Sequence, residues 1–170
     1  MKPIFLPVLA IIIFCVASNA QTTRDRSTLL EGEEAKLLAK QCSRDSPDDF
    51  TDTWVPSVEE IKRMEQNLSQ ISKLRAKCCI EGVNIEDPDK WYLQYAGLIW
   101  KGRKIVYISA IGRQQPSVWV IGSDGRTAKE TPDDNWKKFA IVICDGGNAW
   151  GVIYDLKTGK FSDLSVNGIG

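Results

Sequence analysis

The sequence contains no histidine, and this absence removes the most common machinery of nucleophilic catalysis. A serine or cysteine nucleophile is usually activated by a histidine base, so Ser-His-Asp and Cys-His arrangements are excluded. Lysine would have to serve as the base instead, and no motif in the chain places a lysine beside a nucleophile. We therefore predict that the chain is not an enzyme and that it has no catalytic residues.

A net charge of either sign is also missing, because 22 lysines and arginines balance 22 aspartates and glutamates. Without a basic excess to neutralise phosphates, we do not expect binding to nucleic acid. Metal ligation is not expected either, since the chain lacks histidine and has no Cys-x-x-Cys spacing. The Asp-rich segments 46–52 and 86–89 do not follow the twelve-residue pattern of a calcium loop. The sequence thus predicts no metal and no cofactor.

Long apolar runs are confined to the N-terminus. Lys2 precedes the apolar segment 4–16, and Ser18-Asn19-Ala20 supplies the small residues that a signal peptidase reads. This run is shorter than the roughly 20 apolar residues of a membrane-spanning helix. We predict that residues 1–20 are a cleavable signal peptide. Residues 21–170 are then expected to form one domain in the periplasm or outside the cell, with no membrane insertion after cleavage.

After cleavage at residue 20 the chain would keep four cysteines: Cys42, Cys78, Cys79 and Cys144. Four cysteines in an exported protein favour two disulfides. A bridge between the adjacent Cys78 and Cys79 requires a strained ring. The expected pairing therefore joins Cys42 to one of this pair and Cys144 to the other.

Two segments have helical patterns. Residues 28–41 carry leucines on one side, which predicts an N-terminal helix. Ser57 and Glu60 form a capping box, and apolar residues then recur at steps of three and four, which predicts one long amphipathic helix over residues 58–76.

From residue 92 onward the composition changes to β-branched and aromatic residues. Strands are predicted at 92–100, 104–111, 139–144, 150–155 and 160–166, with turns between them. We interpret 112–137 as a long irregular insertion, in which 117–121 has the composition of a short strand. The expected fold class is α+β, with the long helix packed on an antiparallel meander of about five strands.

Residues in the insertion and in the turn near residue 146 are the candidates for contact with a partner. Tryptophan and arginine are enriched at the energetic centres of protein interfaces. Trp119 lies in the irregular stretch and is the tryptophan most expected to be exposed. The complete set of partner-binding candidates is Trp119, Arg113, Asp124, Arg126, Asp145, Asn148 and Trp150.

The C-terminal half also carries a recognisable pattern. Tyr95-Ala96-Gly97 is followed by Cys144-Asp145-Gly146-Gly147, then by Trp150-Gly151-Val152, Tyr154-Asp155 and Asn167-Gly168. This pattern resembles a group of small, uncharacterised exported proteins of Gram-negative bacteria, over roughly residues 54–168. The resemblance implies an exported compartment and this fold, and it carries over no catalytic residue. Cys42, Cys78, Cys79 and the segment 112–137 are additions relative to that group.

Three functions are compatible with these features. The first is an exported inhibitor or immunity protein that neutralises an envelope-acting enzyme or toxin by protein–protein contact. The second is a small-ligand or glycan-binding module, such as one for peptidoglycan, that uses exposed tryptophan. The third is an envelope hydrolase that uses carboxylates such as Asp145 and Asp155. Ordinary turn architecture also accounts for the glycine-rich block near residue 146.

Overall fold

The computed structural model describes residues 24–114, 117–121, 128–132, 134–144 and 148–168. The predicted signal peptide at residues 1–20 lies outside these ranges. Within them, no helix has both the length and the apolar character needed to cross a bilayer.

The strands of the described residues are β1 (Ser27–Leu30), β2 (Asp52–Thr53), β3 (Cys78–Cys79), β4 (Tyr92–Trp100), β5 (Arg103–Ile111), β6 (Ser117–Ile121), β7 (Ala128–Pro132), β8 (Ala149–Asp155) and β9 (Lys160–Val166). A seven-stranded mixed sheet forms the centre of the protein, in the order β1-β4-β5-β8-β9-β3 with β2 also paired to β4. Strands β6 and β7 pair with each other as a separate two-stranded sheet within the segment 112–137.

The four longest strands of this sheet confirm their sequence predictions. β4, β5, β8 and β9 pair antiparallel in chain order. The turn from β4 to β5 uses positive φ at Lys101 and Gly102, which is the backbone geometry that a tight hairpin requires. The two parallel pairings, β1 with β4 and β3 with β9, were not predicted.

The predicted long helix over 58–76 is wrong. Helix α1 spans Gly32–Leu38, and helix α2 ends at Glu65 after eight residues. A 3-10 helix at Leu68–Lys73 follows α2. Apolar residues three apart also fit the 3-10 repeat, so Leu68 and Ile71 are buried without extending the α-helix. The capping box of Ser57 and Glu60 at the start of α2 is confirmed.

The N-terminal prediction and the fold class need correction as well. Residues 27–30, assigned to a helix over 28–41, are strand β1, and the helix begins only at Gly32. The α+β arrangement with one long helix on a meander is therefore replaced by a mixed sheet with short helices. The adjacent Leu29 and Leu30 fit a short strand at a sheet edge as well as they fit the start of a helical face.

Apolar clusters cover both faces of the sheet. On one face, Ile61, Met64 and Leu68 pack against Leu93, Val106 and other strand residues. On the other face, Leu38 of α1 packs with Leu98 and Tyr107. Because both faces are covered, the central strands are buried at successive residues instead of alternate ones.

The segment 138–144, which we call the strap, includes residues 139–144, which were predicted to be a buried strand and do not form one. Phe139 is 56% exposed and Val142 is 38% exposed. The Gln94 side chain donates to the carbonyls of Trp136 at 2.6 Å and Phe139 at 2.7 Å and accepts from Ile141 N at 2.9 Å. Side chains thus replace strand neighbours as partners of the strap backbone, because other strands occupy the edges of β4 and β9.

The predicted disulfide pairing is also wrong. The bridges are Cys42–Cys144 and Cys78–Cys79. Cys42 follows α1 and lies beside the end of the strap, at a Cα–Cα distance of 4.5 Å from Cys144. Cys79 has a φ of +74°, and this left-handed backbone interrupts the strand alternation that would turn the two neighbouring sulfur atoms to opposite sides.

Candidate functional site

A groove of about 300 Å³ lies at one end of the sheet, and it contains three of the predicted partner-binding residues, Arg113, Asn148 and Trp150. We call it the tryptophan groove. Its remaining lining comes mainly from the loop 80–86, from Trp91 and from the end of β9.

Strand register explains why these residues meet. Ile111 pairs with Tyr92 on β4 and with Ala149 on β8. The start of β4, the end of β5 and the start of β8 therefore lie at the same end of the sheet. Residues just outside these strand ends, namely Trp91, Arg113 and Asn148, are brought together there.

The two tryptophans of the groove each bury an indole N–H group that lacks a hydrogen-bond acceptor in the described part of the structure. Trp91 and Trp150 are both buried and pack edge to face, with ring centroids 5.8 Å apart. Neither indole N–H finds an acceptor among the residues that the structure describes. Buried donors are nearly always hydrogen-bonded in folded proteins, so these two indoles are exceptions, as are Trp136 Nε1 and the Tyr154 hydroxyl elsewhere in the described part of the chain.

The rim of the groove is polar. The Arg113 guanidinium carbon lies 5.5 Å from the centroid of the Trp91 ring, which is a cation–π geometry. Arg113, Asn148 and Glu86 are all exposed. The rim therefore combines a cation, an amide and a carboxylate above an aromatic floor.

On the face of the sheet opposite Trp150, a buried arginine forms a hydrogen-bonded cluster. Arg44 is 4% exposed, and its guanidinium donates to the Tyr107 hydroxyl at 3.3 Å, to Ser109 Oγ at 2.7 Å and to Asn167 Oδ1. Asn167 also lines the groove. Burial raises the pKa of Tyr107, although the neighbouring Arg44 opposes this shift.

Gly151 makes this cluster possible. A Cβ atom at residue 151 would lie 2.5 Å from the Tyr107 hydroxyl oxygen and 2.9 Å from Arg44 Nε. The absence of a side chain at Gly151 thus permits close approach of neighbouring side chains. The approaching side chains are those of Arg44 and Tyr107.

The other predicted partner-binding residues are not covered by the described side chains. Trp119 belongs to β6, and its side chain lies outside the described part of the structure. Asp124, Arg126 and Asp145 lie outside the described residues altogether. Trp150 is fully buried, so its indole belongs to the floor of the groove and not to its exposed rim.

Sequence reasoning missed Trp91 and the loop residues Asn84 and Glu86. Trp91 directly precedes β4, just as Arg113 follows β5 closely. Aligning the predicted hairpin of β4 and β5 would have placed both residues at one end of the sheet. The loop 80–86 left no such signal, because it has no strand periodicity.

Asp155, the carboxylate considered for hydrolysis, has a structural role. Its Oδ2 accepts from Arg103 at 2.9 Å, and its Oδ1 accepts from the Thr158 backbone N–H at 2.9 Å. Burial raises the pKa of Asp155, but the Thr158 amide and Arg103 outweigh burial and hold it below the usual value. This residue ends β8 at the opposite end of the sheet from the groove, where it fixes the turn to β9.

Comparisons of the chain with protein-family models, with curated proteins and with solved structures find no match.

Proposed function

We propose that this chain is an exported binding protein that neutralises an enzyme or toxin of the cell envelope by protein–protein contact. In this proposal the tryptophan groove receives a loop of the partner. The observation that supports it most directly is the exposed Arg113 guanidinium, which lies over the Trp91 ring at the rim of the groove.

The charge at the rim favours an acidic partner loop. Arg113 is exposed beside Trp91, and a guanidinium forms strong, charge-assisted hydrogen bonds with carboxylates. Tryptophan and arginine are also the residue types that dominate binding energy at protein interfaces. We therefore expect the partner to insert an aspartate or glutamate next to Arg113.

Export belongs to the same proposal. Two disulfides link the described cysteines, and disulfides persist mainly in oxidising compartments such as the periplasm. The Cys78–Cys79 bridge directly precedes Ile80, which lines the groove. The bridge would thus restrict the backbone at one side of the binding surface.

The first test is affinity capture with the oxidised chain from residue 21 onward, against the envelope fraction of its own organism and the products of adjacent genes. We expect one stoichiometric enzyme or toxin whose activity falls when it binds. Arg113→Ala should weaken this complex about 30-fold, the loss typical of an interface hot spot. Arg63→Ala, which removes an exposed arginine from α2, is the matched control. Equal affinity of the Arg113→Ala and wild-type proteins would contradict the proposal.

A second candidate function, binding of a glycan, is favoured by a different cleft of about 360 Å³. Trp100 lines it together with the carboxylates of Asp45, Asp48 and Asp49, and an aromatic ring beside hydrogen-bond acceptors suits a sugar. The test is a fluorescence titration with peptidoglycan fragments. Quenching that is lost in Trp100→Phe would favour glycan binding, and a flat titration would count against it.

A further inference from the structure

Three potential ligand atoms, two sulfurs and one oxygen, converge outside the tryptophan groove. The sulfur atoms of Cys78 and Cys79 and a carboxylate oxygen of Asp45 all lie within 4.8 Å of one another. We propose that reduction of the Cys78–Cys79 bridge opens a binding site for one thiophilic divalent cation of the zinc class. Oxidation of the same two cysteines closes it.

The position of Asp45 beside the cysteines is fixed by β9. Cys78 and Cys79 pair with Ser165 and Val166 of that strand. The Ser165 hydroxyl donates to the Asp45 carbonyl at 2.7 Å. Both sides of the proposed site are therefore attached to Ser165 of β9, so the site does not depend on a chance approach of two loops.

The segment that carries Asp45 is also held from its other side. The Gly168 N–H donates to the Ser43 carbonyl at 3.0 Å, and the side chain of Arg44 is buried against the sheet through its bonds to Ser109 and Tyr107. Since Arg44 is directed into the protein, its neighbour Asp45 remains at the surface. A ligand held in place before binding loses less conformational entropy when the cation arrives.

The Asp45 carboxylate is available to a cation. It makes no hydrogen bond or ion pair with any residue in the described ranges, and both Asp45 and Cys79 are exposed. Nearby carboxylates such as Asp163 are committed elsewhere, since Asp163 binds Lys77 Nζ at 2.8 Å. Asp45 is thus the carboxylate that a cation at the two sulfur atoms would find.

The chemistry balances with a dithiol as reductant. The dithiol is oxidised to its own disulfide, and its two electrons and two protons convert the Cys78–Cys79 bond into two thiols. Binding of a divalent cation then releases both thiol protons to solvent, because thiolates are the ligating form. Two sulfur atoms and one oxygen leave a fourth, tetrahedral position for water. Thiolate ligands select zinc or cadmium over magnesium and calcium.

The test uses a chain from residue 21 onward that carries Cys42→Ser and Cys144→Ser, so that all thiols belong to the proposed site. After reduction with a dithiol and oxygen-free desalting, the protein is titrated with Cd²⁺. Sulfur-to-cadmium charge-transfer absorption and proton release are both recorded. We expect one Cd²⁺ and two released protons per chain, and no binding by the oxidised protein. Asp45→Asn should weaken binding about tenfold or more, whereas the neighbouring Asp48→Asn should not.

Loss of the Cys42–Cys144 bridge could impair folding of this variant. In that case the wild-type chain is compared with Cys78→Ser/Cys79→Ser, in which the Cys42–Cys144 pair is unchanged. The wild-type chain should then bind one more Cd²⁺ after reduction. The proposal is overturned if both reduced proteins bind equal amounts, or if Asp45→Asn binds cadmium as tightly as its parent.

Discussion

The hydroxyl of Tyr95 donates to Oε1 of Glu65 at 3.1 Å, in the buried layer between the sheet and α2. The Ser27 hydroxyl donates to the same oxygen at 2.8 Å. One carboxylate oxygen therefore joins β1, β4 and the last residue of α2. This explains why a glutamate lies on the buried side of an otherwise apolar helical face.

Glu65→Ala should lower the free energy of unfolding by about 3 kcal/mol, because two buried hydroxyls lose a charged acceptor. Glu59→Ala removes an exposed glutamate from the same helix and should change stability by no more than about 0.5 kcal/mol. Urea unfolding at neutral pH, followed by tryptophan fluorescence, measures both. Similar losses in the two variants would contradict the role assigned to Glu65.

The environment of Tyr95 also predicts a pH dependence. Burial, and then the charge of Glu65, raise the pKa of Tyr95 well above its ordinary value of 10.0. The unfolded chain thus loses this proton at a lower pH than the folded chain. Below the ordinary pKa of the unfolded chain, Tyr95 is protonated in both states and its full contribution to the free energy of unfolding is present. As pH rises from that value to the raised pKa of the folded chain, this contribution is lost.

In Tyr95→Phe this linkage is removed. Above about pH 10, the free energy of unfolding should fall less steeply with pH than in the wild-type protein, by up to about 1.4 kcal/mol per pH unit. Urea unfolding across that interval measures the two slopes. The pKa of Tyr107 is also raised by burial, so some alkaline loss should remain in the variant. Equal slopes in the two proteins would show that Tyr95 does not contribute.

The long strands could be predicted from sequence because their composition and the turns between them both favour hairpins. β4 and β5 are rich in β-branched and aromatic residues and are joined by Lys101-Gly102, where positive φ is needed. The strap had a similar composition and failed as a strand. Its partners are the side chains of Gln94 and Gln41, and no local pattern reveals that a distant glutamine will replace a strand neighbour.

The candidate site was predictable only in part, for a related reason. Arg113 and Asn148 lie just outside the paired ends of β5 and β8, so strand register alone brings them together. Trp91 directly precedes β4, so the pairing of β4 with β5 places it at the same end of the sheet. The pairing of Cys78 with Cys79 could not be predicted, because it depends on the left-handed backbone of Cys79. Glycine adopts this conformation readily, whereas cysteine seldom does.

Gly151→Ala should destabilise the protein by about 2 kcal/mol, because the new methyl group would overlap Tyr107 and Arg44. Gly112→Ala is the matched control: its Cβ would meet Asn148 at an ordinary 3.6 Å. Neither glycine needs a positive φ, so the comparison isolates packing. Thermal or urea unfolding distinguishes the two, and equal stability of both variants would contradict the close approach of Arg44.

The last prediction concerns how the strap is held. Gln94→Ala removes the donor to the Trp136 and Phe139 carbonyls and the acceptor of the Ile141 N–H. Since these groups then lack partners, the strap should detach locally, at a cost of about 3 kcal/mol. The Cys42–Cys144 bridge still anchors its end, so the rest of the fold should remain intact.

Hydrogen–deuterium exchange at the Ile141 amide measures this detachment directly. In Gln94→Ala the amide should exchange about 100-fold faster, while amides in the centre of β5 keep their protection. Gln66→Ala, which changes an exposed glutamine at the end of α2, should leave the exchange of Ile141 unaltered. If Ile141 remains equally protected in Gln94→Ala, other contacts hold the strap. Its exposed Phe139 would then owe its position to the packing of Trp136 and Ala140 instead of to the amide of Gln94.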